Sequence, residues 1–193
     1  MVETTRRRAI EDAASELFRR QGYAATTVRD IARALDIQGA SLYAHVASKE
    51  EVLRSIVDRV ATRFELAADE AKIDGGDADV MLAALIRAHV AVATADVGEA
   101  SVFVHEWRHL SEPHRAAVLA RRDAYEAHFR AVIADGIATG IFAITDPSVA
   151  ATFLLTALNG IPTWYRPEGS LSPAQIADLY ADLAVRSLTE ASR

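Results

Sequence analysis

The chain has 193 residues and a net charge of −6, with 51% hydrophobic and 25% charged residues. This balance is ordinary for a globular protein and excludes an intrinsically disordered chain. The chain contains no cysteine, which excludes disulfide scaffolds, thiol nucleophiles and cysteine-based metal centres. No uninterrupted apolar stretch approaches membrane-spanning length and no signal-peptide pattern is present, so we expect a cytoplasmic protein.

Charge is distributed unevenly along the chain. Residues 1–49 contain eight Lys and Arg against six Asp and Glu, whereas residues 50–193 contain 13 against 21. A slightly basic amino-terminal part on an acidic remainder is typical of a protein that presents one end to a polyanion. The asymmetry is small, so by itself it indicates nucleic acid only weakly.

Helical periodicity runs along nearly the whole sequence. The first helix ends at Gly22, and Ser48 with Glu51 forms a capping-box pattern that opens a long helix to about residue 73. The remaining helices are predicted at 27–35, 38–44, 78–95, 97–110, 112–139, 147–161 and 173–189. We therefore predict an all-α fold of about nine helices.

Helix length and charge divide the predicted helices into two domains. Residues 1–47 form a head of three short helices, and residues 48–193 form a bundle of about six longer helices. The last two helices, 147–161 and 173–189, carry more apolar surface than one face of a bundle buries. They predict a four-helix interface between two copies of the chain.

The two short helices at 27–35 and 38–44 have the pattern of a helix-turn-helix. The first would bury Val28, Ile31 and Ala32, and the second would bury Leu42. The outer face of the second helix carries small or hydrogen-bonding side chains, which suit close approach to base edges and phosphates. These residues are Gln38, Gly39, Ser41, Tyr43 and His45.

Residues 26–53, TTVRDIARALDIQGASLYAHVASKEEVL, resemble the signature of TetR-family transcriptional regulators. The layout of a short head and a longer helical body resembles that family too. The resemblance implies an all-α repressor that binds a palindromic double-stranded operator as a homodimer and is released by a small-molecule effector. The sequence departs from the family pattern at Asp36, which stands where a turn glycine is usual, but Asp tolerates left-handed backbone better than most residues.

The resemblance also implies a role for each matching residue of the head. Thr27 and Lys49 would contact phosphates, Tyr43 a phosphate or a thymine methyl group, and His45 the DNA backbone. The residues that would face the floor of the major groove are Gln38, Gly39, Ala40 and Ser41. Arg6, Arg7 and Arg8 are a further candidate for a phosphate or minor-groove contact, the alternative being a solvated chain end.

The body resembles TetR-family repressors of lipid and steroid catabolism from actinobacteria. The resemblance lies in HEWRHLS (105–111), ARRDAYEAHF (120–129) and ALNGIPTWYRPEGSLS (157–172). Several such repressors respond to acyl-CoA thioesters, so the resemblance implies an acyl-CoA or another lipid-like effector. Arg108, Arg122 and Arg130 would then pair with CoA phosphates, the alternative being ordinary surface ion pairs.

Bulky side chains of the body, with a few polar ones, are the candidates for lining an effector cavity. For most of them individually, ordinary core packing is the alternative. The candidates are Phe103, Trp107, Arg108, Phe129, Arg130, Phe153, Asn159 and Trp164.

One motif offers a different function. His105, Glu106 and His109 match the H-E-x-x-H pattern of zinc peptidases, which on a helix would place two imidazoles one turn apart. The pattern lacks the sheet and the downstream ligand of such enzymes, which argues against a zinc site. A zinc-dependent hydrolase is therefore only the alternative to a DNA-binding regulator, and a helical scaffold protein is another. No other catalytic motif is present, and we expect no catalytic residue, no metal and no cofactor.

Overall fold

The structure, a computed structural model, describes residues 2–71 and 76–189, and these residues are largely helical and contain no strand. The first five α-helices are α1 (Val2–Gln21), α2 (Val28–Ala34), α3 (Gly39–Tyr43), α4 (Lys49–Glu70) and α5 (Ala78–Ala95). The others are α6 (Val97–His105), α7 (Glu112–Ala138), α8 (Pro147–Asn159), α9 (Ile161–Trp164) and α10 (Pro173–Thr189), with a 3-10 turn (Trp107–His109) after α6. The predicted all-α fold is confirmed.

Local capping interactions begin the helices where the sequence predicts them. Thr27 forms a complete capping box with Asp30 at the start of α2. The Asp146 carboxylate accepts hydrogen bonds from two backbone N–H groups in the first turn of α8. At the start of α10, the backbone N–H of Ser172 donates a hydrogen bond of 2.9 Å to the Gln175 side chain, and the backbone N–H of Gln175 donates one of 3.3 Å to the Ser172 hydroxyl. Each side chain satisfies donors that a helix start leaves unpaired.

Two predicted helices are broken where the sequence suggested continuity. The predicted helix 147–161 ends at Asn159, and the separate α9 follows. Pro162 accounts for this break, because it cannot donate the backbone hydrogen bond that would continue α8. The predicted helix 97–110 ends at His105 and gives way to the 3-10 turn.

The chain packs as two compact units. The first unit comprises Met1–Ala61 and Val97–Ala120, and the second comprises Thr62–Asp96 and Arg121–Arg193. The first unit thus includes α6 and the beginnings of α4 and α7, which extends beyond the predicted head of residues 1–47. The predicted boundary between residues 47 and 48 rests on the expected functions of the two parts, and it stays a prediction.

A buried ion-pair network holds the helices of the first unit together. The guanidinium of Arg59 on α4 binds the carboxylates of Glu11 on α1 and Glu99 on α6, which are both buried. Ser55 donates a further hydrogen bond of 2.6 Å to Glu11, and Arg8 lies 3.0 Å from Glu99. Burial alone raises the pKa of Glu11, but the bonds from Ser55 and Arg59 outweigh it, so this pKa lies below its ordinary value.

Helix α5 forms the core of the second unit. It reaches a mean hydropathy of 1.5 over 18 residues, so by length and composition it passes the test for a membrane span. It packs along α10 and also contacts α8 and α9. Its buried side chains include Leu82, Leu85, Ile86 and Val90. These contacts make α5 a core helix, which is apolar because its neighbours cover much of its surface.

Candidate nucleic-acid interface

Helices α2 and α3 form a helix-turn-helix around a tight turn. Asp36 in this turn has a φ of 52°, in the left-handed region. The N–H of Ile37 donates to the carbonyl of Ala32 at 3.0 Å and closes the turn. Asp36 thus adopts the backbone conformation for which glycine is the usual choice, and the departure from the family pattern leaves the turn intact.

The buried side of α3 fixes which of its residues face outward. Leu42 on α3 is completely buried, and Val46 just after α3 is almost completely buried. Both side chains anchor this segment to the rest of the first unit. On the opposite side, Gln38, Ala40 and Ser41 are exposed, and Tyr43 is 57% exposed. Gly39 and His45 are half-buried. The structure therefore brings six of the predicted DNA-contacting residues together on one short segment, residues 38–45, which comprises α3 and its two ends.

Thr27 lies at the amino-terminal end of α2, where its hydroxyl already has a partner. The hydroxyl donates to Asp30 at 2.6 Å and accepts the Asp30 N–H at 3.2 Å. Hydrogen bonds from the Thr27 side chain and backbone lower the pKa of Asp30. A phosphate contact through this hydroxyl would therefore replace its bond to Asp30.

Lys49 is held in place by the loop between α1 and α2. Its Nζ donates to the carbonyl oxygens of Tyr23 at 2.8 Å and Thr26 at 2.7 Å, and it lies 4.1 Å from the centre of the Tyr23 ring. Partial burial lowers the pKa of Lys49. An ammonium group has three N–H bonds, so two hold the loop and one remains for the predicted phosphate contact.

Two of the three amino-terminal arginines are engaged within the first unit. Arg7 binds Glu51 at 2.8 Å and Glu11 at 3.2 Å. Arg8 binds Asp12 at 2.8 Å in addition to Glu99. Of the predicted basic run, Arg6 is exposed, and it is the arginine best placed to reach a phosphate.

The zinc-peptidase pattern does not form a metal site. Helix α6 ends at His105, so the two histidines do not share one helix face. Glu106 accepts a hydrogen bond of 3.2 Å from the backbone N–H of Tyr23, and His109 stacks on the Tyr23 ring at 5.2 Å. No group of three metal-ligating residues occurs within residues 2–71 and 76–189. The motif instead packs against the loop between α1 and α2.

Three of the predicted effector-lining residues belong to the first unit. Phe103 and Trp107 are buried, and the guanidinium of Arg108 lies 4.7 Å from the centre of the Trp107 ring. Within this unit, α6 packs against α1. Phe103 on α6 therefore belongs to the core of the first unit, and its predicted contact with an effector stays a prediction.

The other five predicted effector residues belong to the second unit. Phe129 is completely buried, and Arg130 forms an ion pair of 3.0 Å with Glu126. Asn159 is half-buried at the end of α8. Phe153 is 61% exposed, and Trp164 stacks on Tyr180 at 6.4 Å near the surface. Phe153 and Trp164 thus face outward rather than into the interior of this unit.

A buried aromatic cluster of the second unit connects the predicted effector residue Phe129, through Tyr125, to His89, which was not predicted from the sequence. His89 on α5 lies 3.1 Å from the Tyr125 hydroxyl and packs on Phe64 at 4.6 Å. Tyr125 in turn packs on Phe129 at 5.6 Å. The one sequence signal is a histidine within the apolar stretch of α5, and its partner lies 36 residues away along the chain.

Two family models match different parts of the chain. The family model described as "Bacterial regulatory proteins, tetR family" matches residues 10–56. The model described as "Tetracyclin repressor-like, C-terminal domain" matches residues 75–188.

Individual relatives match over nearly the full length. The chain is 30% identical to the HTH-type transcriptional repressor KstR2 of Rhodococcus jostii (strain RHA1), over 95% of this chain and 91% of the relative. The solved structure of the ketosteroid transcriptional regulator KstR2 of Mycobacterium tuberculosis superposes with a TM-score of 0.83 at 26% identity, covering 96% of both chains. AibR, solved with isovaleryl coenzyme A and operator DNA, gives a TM-score of 0.81 at 27% identity, covering 95% of this chain and 98% of AibR.

We predict that Lys49→Met lowers the free energy of unfolding by about 1–2 kcal/mol, because the Tyr23 and Thr26 carbonyls lose a charged donor. Lys49→Arg is the matched control, since its guanidinium can still donate to both oxygens. Urea unfolding at one fixed protein concentration measures the difference. Equal stability of Lys49→Met and the wild type would show that Lys49 does not position the loop.

Proposed function

The chain belongs to the TetR family of bacterial regulatory proteins, and from this premise we propose an effector-released repressor that binds a palindromic operator as a homodimer. Family membership makes the protein a DNA-binding transcriptional repressor and not an enzyme. Because its operator DNA lies in the bacterial cytoplasm, we assign the protein to that compartment. The single observation that carries the proposal is the exposed face of α3 above the buried Leu42.

Helix α3 enters the major groove in the proposed complex. Gln38 and Ser41 hydrogen-bond base edges, while Gly39 and Ala40 allow the helix to approach closely. Tyr43, His45, Thr27 and Lys49 contact the sugar–phosphate backbone and fix the position of the helix. Since few cations take part, the affinity falls with salt concentration less steeply than that of strongly basic DNA-binding proteins.

The second copy of the chain docks on the outer face of α8 and α10. Phe153 on α8 and Leu183 on α10 are more than half exposed and line one apolar groove with Tyr180. Exposed apolar patches of this kind are typical of protein interfaces. Two such helix pairs around a two-fold axis would form a four-helix interface, and the axis would present two α3 helices to the half-sites of a palindrome.

The proposed effector is an acyl-CoA thioester. Its support is the similarity to AibR, which was solved with isovaleryl coenzyme A, and to the KstR2 regulators. The buried aromatic side chains of the second unit suit an acyl group, because burying apolar surface there is favourable. The effector shifts the population toward conformations with low operator affinity, and only its difference in affinity between the two conformations drives that shift.

For operator binding, we predict that Tyr43→Phe weakens affinity for the DNA upstream of the protein's own coding region by about 10-fold or more. A hydrogen bond to a charged phosphate contributes ~1.5–3 kcal/mol, and ~1.4 kcal/mol corresponds to a factor of ten. Fluorescence anisotropy at several salt concentrations measures the change. Tyr165→Phe, which removes a hydroxyl from the second unit, is the control and leaves affinity unchanged. Equal wild-type affinity for random DNA at moderate salt would refute a specific repressor.

For the dimer, we predict that Leu183→Glu yields a monomer in light scattering coupled to size-exclusion chromatography. Leu183 is 65% exposed in the single chain, so the substitution leaves the fold of the chain intact while placing a charge in the interface. Leu66→Glu is the matched control, since Leu66 on α4 is 57% exposed and lies outside that groove. A dimeric Leu183→Glu protein would place the interface elsewhere.

For the effector, we predict that isovaleryl-CoA at saturation lowers operator affinity at least 10-fold, whereas free CoA and isovalerate at the same concentration do not. The reason is that neither fragment alone supplies both the acyl group and the CoA contacts. Displacement of labelled operator DNA measures the effect. If isovaleryl-CoA and longer acyl-CoA thioesters all leave the complex intact, the effector belongs to another chemical class.

A further inference from the structure

The interior of the second unit contains a polar atom that its fold does not use. His89 is only 2% exposed, and its Nδ1 lies 3.1 Å from the Tyr125 hydroxyl. Its other ring nitrogen, Nε2, is buried and has no hydrogen-bond partner among the described residues. Buried polar atoms without partners are rare and unfavourable, so this nitrogen calls for a physical explanation. If the side chain at position 89 only filled space, a phenylalanine would pack there equally well.

The surroundings keep His89 uncharged. Burial, assisted by the positive charge of Arg122, lowers the pKa of His89 to about 3. Burial also raises the pKa of Tyr125, so its hydroxyl keeps its proton. A neutral imidazole carries one N–H group and one acceptor nitrogen. The hydrogen-bonding role of Nε2 therefore depends on which ring nitrogen holds the proton.

The contact with Tyr125 favours one tautomer. If the Tyr125 hydroxyl donates to Nδ1, the phenol hydrogen is satisfied and Nε2 carries the ring proton. In the other tautomer Nδ1 would donate to the phenol oxygen, and this contact would leave both the phenol hydrogen and the Nε2 lone pair unused. The first arrangement satisfies more groups, so Nε2 is an N–H donor. Its complement is an oxygen that accepts a hydrogen bond.

The rings around His89 restrict the ligand further. Phe64 packs on the imidazole at 4.6 Å, and Tyr125 joins Phe64 and Phe129, each at 5.6 Å. An apolar ligand body suits such surroundings. An uncharged carbonyl oxygen costs much less to remove from water than an ionised carboxylate, and the positive charge of Arg122, which acts on His89, offsets only part of that difference. The lower cost favours an uncharged oxygen on an apolar body as the acceptor.

We propose that His89 Nε2 is the polar anchor of the effector site and donates a hydrogen bond to an uncharged carbonyl oxygen, such as that of a thioester or a ketone. The proposal rests on the proposed function, because it assumes that the second unit binds a small-molecule effector. Tyr125 is a positioning residue that fixes the imidazole tautomer. Phe129 contacts Tyr125, which agrees with its predicted place near the effector.

The direct test compares cyclohexanone with methylcyclohexane, which share an apolar ring and differ in the carbonyl group. The full-length protein carries 15N-labelled histidine, and the signal of His89 is assigned by its loss in His89→Gln. We expect cyclohexanone to shift the Nε2–H resonance and to raise the Tm of the protein, while methylcyclohexane leaves that resonance in place. Identical responses to both compounds, or none to either, would overturn the proposal.

Two variants separate anchoring from packing. His89→Phe keeps the ring volume but loses the donor, so we expect an unchanged or higher Tm, intact operator binding and at least 10-fold weaker binding of cyclohexanone. His89→Gln retains an amide N–H, so we expect it to bind cyclohexanone within about threefold of the wild type. If His89→Phe binds cyclohexanone as tightly as the wild type, His89 serves packing only. If His89→Phe does not fold, cyclohexanone binding is compared between His89→Gln, which keeps an N–H donor, and His89→Leu, which does not. Equal binding by these two variants would show that His89 serves packing only.

Operator release by isovaleryl-CoA distinguishes this proposal from the proposed function. If isovaleryl-CoA releases wild type and His89→Phe at the same concentration, the effector class stands and the His89 anchor is wrong. If isovaleryl-CoA releases neither while cyclohexanone still shifts the His89 resonance, the anchor stands and the effector class is wrong. We expect release of the wild type and at least a 10-fold higher half-effective concentration for His89→Phe.

Discussion

The interaction on which the first unit depends is the ion-pair network of Glu11, Arg59 and Glu99. Two buried carboxylates from α1 and α6 share one guanidinium from α4. Removing one partner of such a network leaves a buried charge uncompensated, and breaking a buried pair in this way costs ~3–5 kcal/mol. The three helices therefore hold a fixed arrangement, and α1 and α4 flank the helix-turn-helix in the chain. The network thus holds the helices on either side of the helix-turn-helix, while the buried Leu42 and Val46 decide which residues of α3 face outward.

Several positively charged side chains of the first unit bind groups within that unit and are therefore less available for DNA. Arg7 and Arg8 pair with carboxylates, and Lys49 spends two of its three N–H groups on loop carbonyls. Besides Arg6 and the third N–H of Lys49, what remains for DNA is a short segment with small and hydroxyl-bearing side chains, including Ser41 and Tyr43. In the proposed complex, recognition relies on close approach of α3 and on a few hydrogen bonds. The acidic remainder of the chain adds no attraction for the polyanion.

The elements that local interactions define were predictable from the sequence. Helix caps such as Thr27 with Asp30, and Ser172 with Gln175, involve residues three apart in sequence. Their patterns can therefore be recognised from the sequence alone. The predicted helix 97–110 was right in its first nine residues and wrong in its end, because the chain leaves α6 at His105. There Glu106 binds the backbone of Tyr23, a contact between residues distant in sequence. Distance in sequence likewise hid the pair of His89 and Tyr125. No residue pattern indicates which buried histidine will meet which hydroxyl.

The central claim is that α3 enters the major groove of a palindromic operator twice, once from each subunit. Dimethyl sulfate protection tests this most directly, because the reagent methylates guanine N7 in the major groove. On the DNA upstream of the coding region, the claim predicts two symmetric groups of protected guanines on one face of the duplex, spaced by about one helical turn of ~10 bp or a multiple of it. A bound complex in which every guanine N7 stays reactive would contradict it.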